Sequence, residues 1–164
     1  GLHYAKADIS VTMDDDLQNP PEEIVKLLDK LEQGYDVVYG IPVHKKHPFY
    51  RNLGARARDG LFSLICKKPR GIRLSSFRAI RKSLVRQIIR DKNPFVYISA
   101  ITFRHTAKAA NVAVRHDRMI YRASNYTPAK LTRLFIRLAV NYSSLGPRFT
   151  ESTGPQYEIA DARL

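Results

Sequence analysis

From Ile9 to Glu23 the chain passes from an apolar, β-branched run (Ile9, Val11) into three consecutive carboxylates, Asp14, Asp15 and Asp16, and then into Pro20-Pro21-Glu22-Glu23. This order constrains the fold more than any other stretch. β-branched residues suit a strand, and proline suits a helix only in its first turn, where the missing N–H has no partner to lose. Glu22 and Glu23 favour the positive end of the helix dipole. Ile24, Leu27, Leu28 and Leu31 recur at helical spacing up to Gly34, which suits the residue just past a helix C-terminus. Asp36 to Ile41 is apolar and β-branched again, the pattern of a strand buried on both faces. Strand, helix and strand form a βαβ unit, so an α/β fold is expected, with residues 8–13 a buried strand ending at the acids. Open α/β sheets place their ligands at that end.

Three adjacent carboxylates repel one another, and an oxygen-rich cluster of this kind suits a hard divalent cation, Mg²⁺ or Mn²⁺. The plain alternative is a solvated acidic turn that caps the following helix. Calcium binding of the EF-hand type is excluded, because Asn19 stands where that loop needs glycine and Val25 where it needs glutamate.

Charge separates the chain into unlike parts. Residues 1–43 hold nine acids against three bases, whereas residues 44–150 hold three acids against twenty-four bases, within a net charge of +13. The middle is built to meet anions: phosphates, an anionic leaflet or nucleic acid. Cys66 is the single cysteine, which excludes an internal disulfide and fits a reducing compartment. No apolar run reaches the roughly eighteen residues that a membrane-spanning helix needs.

Further along, 42–48 reads as a basic loop and 50–66 as a helix with Leu53, Ala57, Leu61, Leu64 and Ile65 inward. A loop holding Pro69 and Gly71 leads to a short strand near 72–77. A basic amphipathic helix is expected over 78–91, with Ile80, Leu84, Ile88 and Ile89 inward. The pattern over 95–104 does not arbitrate between helix and strand. Asn111 to Arg115 alternates as a strand, and 127–144 forms a third basic helix with Leu131, Leu134, Phe135, Leu138 and Ala139 on one face. By length the chain is one domain, taken as residues 1–147 with an irregular tail at 148–164.

Several of these segments carry a resemblance. Asp14-x-Asp16-x-Gln18-x-Pro20-Pro21-Glu22, Gly34-Tyr35-Asp36-Val37-Val38-Tyr39-Gly40, Arg51-Asn52-Leu53-Gly54, Leu74-Ser75-Ser76-Phe77-Arg78-Ala79-Ile80 and Ser124-Asn125-Tyr126-Thr127 with Lys130-Leu131 follow in order. Together they resemble the inverting family 2 glycosyltransferases, and within them the polyprenyl-phosphate sugar transferases, such as the dolichol-phosphate mannosyltransferase and undecaprenyl-phosphate aminoarabinose transferase groups. A lone DxD is weak evidence; ordered blocks from Asp14 to Leu131 are strong.

The resemblance implies a partial GT-A sheet, Rossmann-like and flanked by helices, that lacks the first nucleotide-binding strands. It implies transfer of a sugar from a nucleotide-sugar donor to a polyprenyl phosphate, with inversion, at the inner face of the cytoplasmic membrane. Asp14 would meet the donor, while Asp16 and Gln18 would hold Mg²⁺ or Mn²⁺. Arg51, Arg56 and Arg78 would clamp the acceptor phosphate, and Asp16, Ser76 and Arg78 would make up the catalytic group. Arg118, Arg122 and Ser124 would bind the donor. Many relatives place Asp where Ser76 stands, and Ser there favours the aminoarabinose branch. An acceptor phosphate is already ionised at neutral pH, so it needs no strong base.

The match has departures. Ala55 replaces a serine common just before the second clamp arginine. Met119 stands at the family's donor arginine and Arg122 at a glycine, so either Arg118 or Arg122 takes over the diphosphate. Against the family pattern, the chain enters just before the metal motif. It is therefore expected to be a fragment, a truncated reading frame, or the partner of a separate N-terminal half or of a second copy. The alternative function is an inactive remnant that lies on anionic membrane through 127–144, or binds nucleic acid through charge alone.

Overall fold

The computed structural model describes residues 1–43, 60, 63, 65, 66, 68–93, 95–117 and 128–142. Among them are four strands: β1 (Ile9–Thr12), β2 (Val37–Pro42), β3 (Arg78–Arg81) and β4 (Ala109–Val114). They form one sheet in the order β1-β3-β2-β4, with β2 and β4 parallel and β3 antiparallel to both β1 and β2. β1, β2 and β4 therefore run the same way and end on the same side. The helices bounded within the described residues are α1 (Ile24–Glu32), α2 (Lys82–Arg90), α3 (Ile98–His105) and α4 (Pro128–Tyr142).

The period-2 alternation of β2 sorts the core into two layers. Val38 points to one face, where Leu27 and Leu31 of α1 pack with Phe77, Ala79 and Val114. Val37, Tyr39 and Ile41 point to the other, against Leu84, Ile88, Ile101 and Leu138. A sheet covered by helices on both faces is the α/β arrangement expected from the sequence, and β2 is buried on both faces as its composition requires. α1 ends where expected: Gly34 has φ +96° and its N–H donates to the Leu31 carbonyl at 3.1 Å. Arg81 completes that terminus by donating to the carbonyls of Leu31 (2.6 Å) and Tyr35 (2.9 Å).

Other expectations need correction. β1 is an edge strand whose four residues are half-buried rather than buried. The two strands of the βαβ unit run in the same direction but are not neighbours, since β3 lies between them. The strand expected near 72–77 lies instead at Arg78–Arg81. Residues 72–77 are spent on a connection, in which the Phe77 N–H donates to Ser75 Oγ at 3.1 Å. The helix expected from 78 consequently begins at Lys82, so Ile80 is buried as a strand residue, Val85 turns inward and Ile89 is exposed.

The undecided segment at 95–104 is helical over Ile98–His105. It carried no period because Ser99 to Phe103 are all buried, and a helix covered all round has no polar face. α4 forms as expected, but Leu138 is buried and Leu134 and Ala139 pack on the core, so this face meets protein and not lipid. Leu131 and Phe135 belong to α4, but their side chains are not described; most of the helix expected over 50–66 lies outside the described residues, as does the expected tail.

Candidate functional site

The register of the sheet brings one polar residue from each strand into a single row: Thr12, Arg78, Tyr39 and Asn111. The row crosses the carboxyl end of β1 and the amino end of β3, beside the acid turn. Arg78 is its centre. Its Nε donates to Thr12 Oγ1 at 3.1 Å and its Nη1 to Ser99 Oγ at 2.9 Å, so β1 and α3 hold the guanidinium from two sides. Arg78 is only 8% exposed, and among the described residues no carboxylate pairs with it. A buried cation held by neutral hydroxyls retains most of its field for an anion.

Tyr39 lies beneath it, fully buried, with Arg78, Ser99 and Thr102 around its hydroxyl but none in hydrogen-bonding geometry. Burial pushes that phenol above its ordinary range, and the positive charge of Arg78 pulls the other way. The hydroxyl is therefore neutral and keeps its proton beside the cation.

The acid turn is fastened to this row at several points. Thr12 Oγ1 donates to the Ser76 carbonyl at 2.7 Å, and Ser76 Oγ donates to Asp14 Oδ2 at 2.5 Å. Asp16 Oδ1 accepts the Gln18 N–H at 3.1 Å, which leaves Oδ2 without a protein partner among the described residues. Between them Leu17 sits at φ 60°, a left-handed conformation that costs a β-carbon residue about 1 kcal/mol. Gln18 then ties the turn to the end of β4: its Nε2 donates to the Asp117 carbonyl at 3.3 Å, and its carbonyl accepts the Asp117 N–H at 2.9 Å. Glu23 adds a further tie by accepting the Arg115 N–H at 2.9 Å. The hydrogen bond from Lys26, and then that from Arg115, holds the Glu23 carboxyl below the usual carboxylate range.

A cleft of about 420 Å³ opens beside this arrangement, lined by Ser75, Ser76, Arg78, Tyr97, Ile98 and Ser99 among others. Of the residues singled out in the sequence, the fold thus joins Asp14, Ser76 and Arg78. Asp16 and Gln18 share the adjoining turn without bonding to Ser76 or Arg78. Arg51, Arg56, Arg118, Arg122 and Ser124 lie outside the described residues. Thr12, Tyr39 and Ser99 were not foreseen. The alternation of β1 could have pointed to Thr12 as the polar residue nearest the acids, but nothing in the sequence marks Ser99.

Among the described residues no three acidic, histidine or cysteine side chains converge on one point. Mg²⁺ commonly keeps several waters and takes one or two carboxylates together with substrate phosphates, so a turn offering Asp16 with Gln18 fits its donor chemistry.

Comparison with known proteins bears on this site. Residues 1–98 match the model of glycosyl transferase family 2. The undecaprenyl-phosphate 4-deoxy-4-formamido-L-arabinose transferase of Pseudomonas aeruginosa is 32% identical over 167 residues, covering 98% of this chain and 47% of its own length. The enzymes of the same name from Edwardsiella ictaluri and Yersinia enterocolitica are 31% and 30% identical over 140 residues, covering 84% of this chain and 42% of their own lengths. The chain spans about half the length of the curated relatives it matches. The family match takes in β1, the acid turn, β2 and the Ser76–Arg78 segment, more than half of the chain: this chain belongs to glycosyl transferase family 2.

Proposed function

We propose that this chain supplies the metal-side and acceptor-side part of a glycosyltransferase site that moves a sugar from a nucleotide-sugar to undecaprenyl phosphate or a similar polyprenyl phosphate. The observation that carries this reading is the buried Arg78 guanidinium, unpaired by any described carboxylate and lining a cleft with Ser75 and Ser76. A phosphate monoester supplies the missing negative charge and accepts from a guanidinium at two points. The name of the relatives specifies undecaprenyl phosphate, which agrees with that chemistry.

In this reading an acceptor phosphate oxygen attacks the anomeric carbon from the face opposite the leaving group. The new C–O bond forms as the bond to the nucleoside diphosphate breaks, and the configuration inverts. Arg78 orients the attacking phosphate, and Thr12 and Ser99 keep the guanidinium aimed. Asp14 receives a hydroxyl hydrogen bond from Ser76, which fixes its carboxyl group where the donor sugar enters. Asp16 and Gln18 would hold Mg²⁺ or Mn²⁺. The cation, when bound, acts as a Lewis acid that neutralises the leaving diphosphate. Arg51 and Arg56 on the acceptor side, and Arg118, Arg122 and Ser124 on the donor side, belong to the same proposal, as does work at the inner membrane face. So does the division into residues 1–147 and a tail.

The test is a calorimetric titration of UDP into the chain with and without Mn²⁺, repeated with Asp16→Ala. A second titration uses a short-chain polyprenyl phosphate, repeated with Arg78→Gln. Metal-dependent nucleotide binding lost in the first variant and acceptor binding lost in the second are the expected results. Acceptor binding that survives Arg78→Gln overturns the acceptor assignment.

A further inference from the structure

Just before the Ser75–Ser76 segment, the same connection forms a second cleft, of about 570 Å³, whose charged lining among the described residues is Lys68, Arg70 and Arg73. We infer that this cleft is a phosphate-binding site separate from the one around Arg78.

The cleft is built rather than incidental. Pro69 to Ile72 form a turn closed by the Ile72 N–H on the Pro69 carbonyl at 3.4 Å. Gly71 has φ +82°, the left-handed conformation that a type II turn needs at its third position. Lys68 is buried, and its Nζ donates to the Ile72 carbonyl, locking the ammonium under the turn. Asn111 of β4 fixes the far end: its Oδ1 accepts the Arg73 N–H and its Nδ2 donates to the Arg73 carbonyl, both at 2.8 Å. The side chain of Asn111 thereby acts as a short piece of strand and anchors residue 73 to the sheet.

Charge supplies the second argument. Among the described residues none of the three cations is paired with a carboxylate. A carbonyl takes one of the three N–H donors of Lys68 and leaves its charge uncompensated, in a place with little water to screen it. Arg70 and Arg73, both exposed, stand three positions apart with Gly71 and Ile72 between them. A rigid turn with a buried ammonium and two flanking guanidinium groups matches the size and charge of a phosphate, with arginine able to bind it bidentately. The phosphate belongs either to a lipid headgroup or to a soluble molecule; the recognition chemistry is the same.

The experiment uses the whole chain and the double variant Arg70→Gln/Arg73→Gln, both positions exposed and outside the core. Inorganic pyrophosphate is titrated while the backbone amides of residues 70–73 are followed by NMR. Cosedimentation is measured in parallel with phosphatidylglycerol-containing and pure phosphatidylcholine vesicles. Saturable shifts at 70–73 weakened about tenfold or more in the double variant, with unchanged vesicle binding, give a soluble phosphate ligand. Loss of phosphatidylglycerol-dependent sedimentation gives a lipid headgroup, whether or not pyrophosphate binding falls with it. The proposal is overturned if the variant changes neither measurement. Arg86→Gln/Arg90→Gln, two exposed positions of α2, serves as the charge-matched control; an equal loss of both signals in that variant reports net charge alone and also overturns the proposal.

Discussion

Ser76 Oγ donates a 2.5 Å hydrogen bond to Asp14 Oδ2, joining residues 62 apart in sequence at the carboxyl end of β1. The bond connects the two segments on which the functional reading depends, the acid turn and the segment that carries Arg78. A hydrogen bond to a charged acceptor contributes about 1.5–3 kcal/mol. Ser76→Ala is therefore expected to lower sugar transfer to a polyprenyl phosphate by about ten- to a hundredfold. Ser76→Thr retains the hydroxyl and restores much of it. Initial rates with radiolabelled donor check the pair; equal rates in wild type and Ser76→Ala would sink the assignment.

Arg78 makes a contrary prediction for stability and for function. A buried cation without an acidic partner adds little net stability, because desolvation offsets what its hydrogen bonds contribute. Arg78→Met is expected to change unfolding free energy by less than about 1 kcal/mol, since methionine adapts to the vacated space. The same substitution abolishes acceptor binding. Urea unfolding beside an acceptor titration measures both. A large loss of stability would mean that Arg78 is structural.

Gly40 in β2 is fixed by close packing. A β-carbon there would lie 2.6 Å from Phe77 Cδ1 and 3.2 Å from Val114 Cγ1, and both side chains are fully buried. Gly40→Ala is expected to destabilise the chain by about 1–3 kcal/mol through overpacking. Because Phe77 precedes Arg78, acceptor binding should weaken as well. Thermal unfolding with an acceptor titration of the folded fraction reads both effects.

Glu23 makes the fold acid-sensitive. Its folded pKa lies below the ordinary 4.5 because of the hydrogen bonds from Lys26 and Arg115. The unfolded chain therefore binds the proton more readily than the native one does. Stability from this group is present above 4.5 and is lost as pH falls through the lower, folded value. Melting temperatures of wild type and Glu23→Gln should differ at neutral pH and converge in acid. Parallel curves at every pH would count against the assignment.

Cys66 behaves in the opposite sense. Burial pushes its thiol from 9.0 up to about 12, so the folded chain resists its ionisation. Its contribution is intact below pH 9.0 and is lost as pH rises toward about 12. At pH 8 the thiol is expected to react with iodoacetamide far more slowly in the native chain than in urea, since only the thiolate attacks. Rapid native labelling would show that residue 66 opens locally.

Local chemistry was legible in the sequence wherever short-range rules govern. The strand before Asp14, the left-handed Gly34 and the doubly buried β2 follow from residue type and period, and the structure has them all; the prolines open a 3-10 turn at Pro21–Glu23, and α1 starts only after it, at Ile24. The acid turn and the Ser76–Arg78 segment were likewise recognisable as segments that match the family. The insertion of β3 between β1 and β2 was not legible, because strand order depends on which edges pair after collapse and leaves no trace in spacing. For the same reason the strand near 72–77 was misplaced: Pro69–Gly71 marks a turn but does not say how long the following connection runs. α3 was ambiguous because complete burial erases the period from which a helix is read. Sequence by itself determined the α/β class, the placing of the acids at a strand's end and the basic character of the middle of the chain. Only the tertiary structure decided that Thr12, Arg78, Tyr39 and Asn111 share one row, that Ser99 holds the guanidinium, and that Asn111 fixes the cationic turn. Each of these is a contact between segments far apart in the chain, set by sheet register, and register is an outcome of packing rather than of local sequence.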